Sequence, residues 1–268
     1  MCIICVKPVD TGFPSYDMME RCFDNNSDGA GYMLAVNGSV LIRKGFMKFK
    51  DFEESLMDDR DMYGDNPCYV LHFRISTQAG ANKECCHPYP VTSDMSRMKK
   101  LITVCDIGFA HNGILKAYSD GSKNYNDTML FNQRFLSEVV RKPKWYRNKD
   151  LVKAVADESA GSRLAILSSD GHCEMTGSWI QEGGVFYSNM GYMDGPFDGY
   201  VKPTSRHNEC YYGPYDEYYD YYTEWDAYKF GDNRYDFEPS WCPASVDMNM
   251  DYCSKCISRD ECMEKGII

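Results

Sequence analysis

Met1-Cys2-Ile3-Ile4-Cys5-Val6, the first six residues, places a cysteine directly before an apolar run that predicts a β-strand. Methionine aminopeptidase trims Met1 when the second residue is small, which would leave Cys2 with a free α-amine beside its thiol. An α-amine titrates near ~7.7–8.0 and can take the proton of a neighbouring nucleophile, directly or through one water. Cys2 is therefore either a candidate nucleophile or, as is commoner for cysteine, a buried structural residue on a first strand.

The composition bounds the class of protein. The chain has 268 residues, of which 43% are hydrophobic and 14% aromatic, enough for a large domain with a real core. Its net charge of −11 argues against binding to nucleic acid or anionic membranes, because both need basic patches. No apolar run approaches the ~20 residues of a membrane span, so no membrane partner is expected. The N-terminus does not read as a signal peptide, which predicts a cytoplasmic protein.

The hydrophobic periodicity predicts strands, then helices, then strands again. Strands are expected within residues 1–8, 32–36, 40–42, 69–76, 102–115, 163–168, 174–179 and 185–188, and helices within 14–24, 50–58, 126–140 and 149–158. The Asn37-Gly38 dipeptide is a strong hairpin signal. Helices segregated in this way are typical of packed sheets covered by helices, an α+β fold, and not of a doubly wound parallel sheet.

Five segments carry residue types suited to the hydrolysis of an amide. They are Cys2, Leu71-His72-Phe73-Arg74-Ile75-Ser76-Thr77, Cys86-His87-Pro88, Gly108-Phe109-Ala110-His111-Asn112-Gly113-Ile114-Leu115 and Asn126-Asp127-Thr128. In this order and spacing the set resembles the class II glutamine amidotransferase domain of the N-terminal-nucleophile hydrolases, over roughly residues 2–190. The resemblance is to a stand-alone member and implies a four-layer αββα sandwich.

The resemblance also implies a role for each matching residue. The Cys2 thiolate would attack the side-chain amide of glutamine, and Asn112 and the backbone N–H of Gly113 would form the oxyanion hole. The Arg74 guanidinium matches the α-carboxylate of free glutamine, and the Asp127 carboxylate matches its α-ammonium. The alternatives are an ordinary surface ion pair for Arg74 and a helix cap for Asp127.

The remaining matches are less definite. Thr77 and His87 fall at motif positions that line or support the pocket of the family. His72 and His111 are expected to be structural, and either Asn126 or Asp127 can cap the following helix. The loop departs from the family pattern, with Thr77-Gln78-Ala79-Gly80 and Glu84-Cys85-Cys86-His87-Pro88, which allows a different substrate.

A change in composition predicts a boundary near residue 200. Residues 1–200 are expected to form the amidotransferase-like domain, and residues 201–268 a small extension rich in tyrosine, acidic residues and cysteine. The extension contains Cys242, Cys253, Cys256 and Cys262, whose spacing allows a structural Zn²⁺ site or an iron–sulfur cluster, with Cys210 as a substitute ligand. Scattered free thiols are the alternative.

The resemblance implies a glutaminase that releases glutamate and ammonia and needs no cofactor for the reaction. Residues 201–268 are too few for a synthetase domain of ~100–200 residues, so a separate synthetase-type ammonia acceptor is the expected partner. One alternative is a hydrolase of γ-glutamyl or other amide bonds on a small molecule or peptide. A second alternative is a non-catalytic binding protein that uses the tyrosine-rich acidic tail.

Overall fold

The first strand, β1 (Ile3–Lys7), is buried along its whole length, as the apolar N-terminal run predicts. The computed structural model describes residues 2–75, 82–119, 121 and 125–193. The predicted extension over residues 201–268, with its boundary near 200, lies outside this part of the chain.

In the described residues the first sheet has seven antiparallel strands, in the order β10-β11-β1-β4-β2-β3-β6. Besides β1, its strands are β2 (Ala30–Val36), β3 (Ser39–Phe46), β4 (Tyr69–Phe73), β6 (Ile102–Cys105), β10 (Ile180–Glu182) and β11 (Val185–Tyr187). The N-terminal strand thus lies in the interior of the sheet, between β4 and β11.

The second sheet that the structure describes has four antiparallel strands, in the order β5-β7-β8-β9. These are β5 (Tyr89–Pro90), β7 (Ile107–Asn112), β8 (Arg163–Ser168) and β9 (Cys173–Thr176). The chain changes sheets at Asp106, between β6 and β7. With both sheets antiparallel, the predicted α+β class is confirmed.

The helices lie in the predicted amphipathic segments except α3, which was not predicted. They are α1 (Tyr16–Asn25), α2 (Phe49–Tyr63), α3 (Met95–Met98), α4 (Asp127–Phe131), α5 (Ser137–Val139) and α6 (Lys149–Glu158), with a π-helical stretch at Asn132–Leu136. Side chains cap four of them: Ser15 accepts from Met18 N, Asp94 from Ser96 N, Asn126 from Met129 N and Asn148 from Asp150 N. Within the described ranges, no helix is long and apolar enough to cross a membrane.

Alternation along the strands divides the core into three clusters. On β1, Ile3 and Cys5 pack against α1 and α2, whereas Ile4 and Val6 pack against residues of the second sheet such as Ala110. The opposite face of the second sheet packs against α4 and α6. The sheets therefore pack face to face, with helices on their outer surfaces.

Candidate functional site

Cys2 lies directly before β1 and is held by the segments that follow the two neighbouring strands. Its half-buried Sγ accepts a hydrogen bond from the Ile75 N–H at 3.4 Å and donates to the Ile75 carbonyl at 3.5 Å. Its carbonyl oxygen accepts from Asn189 Nδ2 at 2.7 Å. Because both neighbours come from the ends of strands, the sheet itself determines where the thiol lies.

The surroundings of Cys2 keep its thiol protonated at neutral pH. Burial raises the pKa of the Cys2 thiol, and this effect outweighs the hydrogen bond from Ile75 and the charge of Arg74, which lower it. The thiolate is the nucleophilic form of cysteine. A nucleophilic role for Cys2 therefore requires a base within reach.

Arg74 is brought to the same end of the first sheet as Cys2. The antiparallel register pairs Ile4 with His72 and Ile3 with Phe73, so one further step places Cys2 opposite Arg74. The residue is buried, and its backbone N–H donates to the Gly29 carbonyl at 2.8 Å. Arg74 is therefore an interior residue beside the thiol, and not the surface residue that the alternative prediction assumed.

Asn112 ends β7 in the second sheet and is connected to β1 through one hydroxyl group. Its Nδ2 donates to Ser188 Oγ at 2.9 Å, and the same oxygen accepts from the Ile4 N–H at 2.8 Å. All three residues are buried. The predicted oxyanion-hole amide and the strand that carries Cys2 thus share a single hydrogen-bonding partner.

Gly113 follows Asn112 with φ of +146°, a conformation that favours glycine. A Cβ atom at this position would lie 2.3 Å from Ser162 Oγ. The close approach of Ser162 thus adds a steric reason for glycine to the conformational one.

Asp127 holds the loop after Gly113, while its neighbour Asn126 caps α4. Asp127 Oδ2 accepts from the Leu115 N–H at 2.8 Å, and Oδ1 accepts from the Thr128 N–H at 2.8 Å. Oδ1 also accepts from the Thr128 hydroxyl at 3.4 Å, which uses both of its acceptor positions, whereas Oδ2 can accept a further donor. Of the two capping residues that the sequence allowed, the structure selects Asn126.

His87, predicted to line or support the pocket, lies in a cluster of buried imidazoles. Its ring centroid is 4.3 Å from that of His72 and 6.3 Å from that of His111. Burial lowers the pKa of His72 to about 3, that of His111 to about 4, and that of His87 well below its ordinary value. These rings are therefore neutral near pH 7.

Because the His72 ring is neutral, its hydrogen-bonding partner determines which ring nitrogen carries the proton. Its Nε2 lies 3.1 Å from the His111 carbonyl oxygen, which can only accept, so Nε2 carries the proton. His111 Nδ1 in turn lies 2.8 Å from Thr128 Oγ1. Hydrogen bonds thus connect β4, β7 and the start of α4 near the candidate site.

Lys44, which sequence analysis missed, is buried beside the segment that carries His87. Its Nζ donates to the Met98 carbonyl at 2.6 Å and the Glu84 carbonyl at 3.0 Å, and lies 3.9 Å from the centroid of the Tyr89 ring. Burial lowers its pKa to about 7. No periodic or motif signal marks a buried lysine on a strand.

Several predicted residues cannot be placed. Thr77 and the four cysteines proposed as metal ligands, Cys242, Cys253, Cys256 and Cys262, lie outside the described residues, so the Zn²⁺ prediction stays a prediction. Among residues 2–75, 82–119, 121 and 125–193, no three His, Cys, Asp or Glu side chains are grouped so that they could hold a metal ion.

A surface cavity of about 420 Å³ lies away from Cys2, between the β6–β7 turn and α5. Its lining includes Arg97 and Arg141 but also Asp106 and Glu138. With two charges of each sign, the cavity shows no preference for an anion or a cation.

No protein-family model matches the chain, and no curated protein is significantly similar to it.

Proposed function

We propose that this chain is an N-terminal-nucleophile amidohydrolase of the class II glutamine amidotransferase type, which cleaves a carboxamide through a thioester on Cys2. The proposal includes the finer fold assignment, a four-layer αββα sandwich of that family. Its support comes from the packing described above, in which two antiparallel sheets lie face to face and carry helices on their outer surfaces.

One observation carries the proposal: a single buried hydroxyl joins the nucleophile strand to the oxyanion amide. Ser188 Oγ accepts from Ile4 N, two residues after Cys2, and from Asn112 Nδ2. Alternation along the strands puts Cys2 on the same face of β1 as Ile4, which packs against the second sheet. Acyl transfer requires a nucleophile and hydrogen-bond donors for the oxyanion. Here the Cys2 thiol is the nucleophile, and the Asn112 amide and the Gly113 N–H are the donors.

The proposed reaction begins once Met1 has been removed. The free α-amine of Cys2 takes the thiol proton, and the resulting thiolate attacks the carboxamide carbon. Asn112 Nδ2 and the Gly113 N–H stabilise the negative charge on the carbonyl oxygen. The tetrahedral intermediate collapses with rupture of the C–N bond, and the α-ammonium returns the proton to the leaving ammonia. Water then cleaves the thioester and releases the carboxylic acid with the free thiol.

The charge of Arg74 beside the thiol supports glutamine as the substrate, together with the carboxylate of Asp127. Arg74, buried next to Cys2, would pair with the α-carboxylate of the free amino acid, since a guanidinium matches a carboxylate in two parallel hydrogen bonds. Asp127 Oδ2, which accepts one hydrogen bond from the Leu115 N–H, would also accept from the α-ammonium. The ammonia would serve a separate synthetase-type protein.

The experiment combines intact mass with an assay of glutamate release, on the parent protein and Cys2→Ala. The proposal expects loss of Met1, glutamate release from glutamine, and no release from Cys2→Ala above the uncatalysed rate. Trapping with hydroxylamine should convert the thioester to γ-glutamyl hydroxamate in the parent alone. A trimmed, folded protein that is inert towards glutamine contradicts the glutaminase assignment, and activity that persists in Cys2→Ala contradicts the nucleophile.

A further inference from the structure

We propose that Ser188 and Asn189, which directly follow β11, are positioning residues for this reaction. Ser188 orients the Asn112 amide, and Asn189 fixes the backbone of Cys2. The inference rests on the proposed function. Neither residue touches the reacting atoms; each acts through the group that it holds.

The first step concerns the hydrogen-bonding capacity of the Ser188 hydroxyl. A serine oxygen has two acceptor positions and one proton. One acceptor position takes the Ile4 N–H at 2.8 Å, and the other takes Asn112 Nδ2 at 2.9 Å. Both acceptor positions are therefore used. Ser188 as a whole is only 1% exposed to solvent.

The second step concerns the direction of the Asn112 amide. If the side-chain amide flipped by 180°, its oxygen would take the place of its nitrogen. That oxygen would repel the negative charge that develops on the substrate oxygen. In the structure the Asn112 amide donates to Ser188 Oγ, and this bond holds the NH₂ group towards β1. One N–H is used by Ser188, which leaves the second N–H for the carbonyl oxygen of the substrate.

The third step concerns Asn189. Its Nδ2 donates to the Cys2 carbonyl at 2.7 Å, and its Oδ1 accepts from the Gly191 N–H at 2.9 Å. The Asn189 amide is thus fixed through its oxygen by the following turn, and its NH₂ group holds the Cys2 carbonyl. Fixing the Cys2 carbonyl restricts rotation about the adjacent Cα–C bond, which orients the thiol and the α-amine together.

The experiment for Ser188 compares Ser188→Ala, Ser188→Thr and Ser168→Ala in the processed full chain. Ser168 ends β8, is fully buried, and its hydroxyl has no hydrogen-bonding partner among the described residues, which makes it a matched control. Two rates are measured for each protein: glutamine turnover, which needs the oxyanion hole, and alkylation of Cys2 by iodoacetamide, a displacement at saturated carbon that does not.

For Ser188→Ala we expect kcat to fall about 10–100-fold, less than the ~10²–10³ typical of losing an oxyanion donor outright. KM and the rate of alkylation should stay within about twofold, because binding and the thiol are not altered. Ser188→Thr keeps the hydroxyl and should recover most of the turnover, and Ser168→Ala should match the parent. Equal turnover in Ser188→Ala and Ser168→Ala, or a parallel fall of turnover and alkylation, overturns the role of Ser188.

For Asn189 the variant is Asn189→Ala, with Asn25→Ala as control. Asn25 Nδ2 donates to the Gly191 carbonyl at 2.9 Å, so it binds the same segment without touching Cys2. Asn189→Ala should slow turnover and alkylation together by about 10-fold, because thiol and amine both lose their orientation, whereas Asn25→Ala should change neither. Unchanged alkylation in Asn189→Ala overturns this role. A trimmed wild-type protein that is inert towards glutamine instead refutes the proposed function, and the positioning roles with it.

Discussion

At the scale of single residues, chemistry that depends on residue type could be predicted, and chemistry that depends on distant contacts could not. Cys2 at the second position, and Asn112-Gly113 after an apolar strand, are visible as patterns. The role of Ser188 comes from hydrogen bonds to residues 76 and 184 positions away in the chain. A serine after a strand is common, and only the folded structure distinguishes this one.

Gly113 provides the first prediction at this scale. Gly113→Ala should lower the free energy of unfolding by about 2–4 kcal/mol, since the backbone strain of ~1–3 kcal/mol for a residue with a side chain is joined by the contact with Ser162. Glutamine turnover should fall as well, because the Gly113 N–H would move. Urea denaturation and the turnover assay measure the two effects.

The control for Gly113→Ala is Gly171→Ala. Gly171 also has a positive φ, +88°, but nothing lies within 4 Å of the Cβ position. The control should show the backbone contribution alone, about 1 kcal/mol, with normal turnover. If the two variants were equally stable, the contact with Ser162 would have no energetic significance.

At the scale of elements, the long amphipathic segments were predicted well and their interruptions were not. The structure has α1 at Tyr16–Asn25 and α6 at Lys149–Glu158, close to the predicted 14–24 and 149–158. The predicted helix over 126–140 is instead interrupted at Asn132–Leu136 by a π-helical stretch. It begins at Asn132, whose buried side chain donates to the Pro90 carbonyl at 2.9 Å. Helical periodicity does not show such a tertiary contact.

The strands in residues 102–115 illustrate the same limit. The sequence predicts strands there, but not that β6 and β7 belong to different sheets. Along β6, at the edge of the first sheet, exposed and buried side chains alternate. Every residue of β7 is buried. The partners of each strand decide this difference, and they lie far away in the sequence.

Asn126 provides the prediction at the scale of elements. Asn126→Ala should lower the free energy of unfolding by about 2 kcal/mol, because it removes the cap of α4, worth ~1 kcal/mol, and one further buried hydrogen bond, worth about 1 kcal/mol. That bond runs from Asn126 Nδ2 to the Tyr89 hydroxyl at 2.9 Å, and the hydroxyl keeps its own bond to the Cys85 carbonyl at 2.7 Å. Thermal and urea denaturation measure the loss.

Asn148→Ala is the matched control for the cap. Asn148 accepts from the Asp150 N–H at the exposed start of α6, so its loss should cost only about 1 kcal/mol. Equal losses in the two variants would show that the contact between Asn126 and Tyr89 contributes nothing to stability.

At the scale of the whole molecule, the buried imidazoles predict how stability depends on pH. The pKa values of His72, His87 and His111 lie below the ordinary value of ~6.5, so between the folded and unfolded pKa values only the unfolded chain takes up these protons. The free energy of unfolding must therefore decrease as the pH is lowered. From pH 7 to pH 5 the expected loss is about 2 kcal/mol for each imidazole.

Urea denaturation at a series of pH values tests this expectation with His87→Phe. The substitution keeps a ring against His72 and Tyr89 but removes one titrating group, so it should reduce the loss between pH 7 and pH 5 by about 2 kcal/mol. His172→Phe is the control, since His172 also stacks on a tyrosine, Tyr146, but is more exposed. An unaltered pH dependence in His87→Phe would mean that this imidazole titrates alike in the folded and unfolded chain.

The interior position of β1 has a consequence for synthesis on the ribosome. The first strand to be made pairs with β11, in which Tyr187 lies opposite Cys5, and Cys2 is then held by Asn189. A nascent chain that has not yet exposed residue 189 therefore has no assembled site, even though it already carries the cysteine. Such late closure of distant contacts is slow compared with local folding. The appearance of the proposed activity would therefore report that β11 has been inserted.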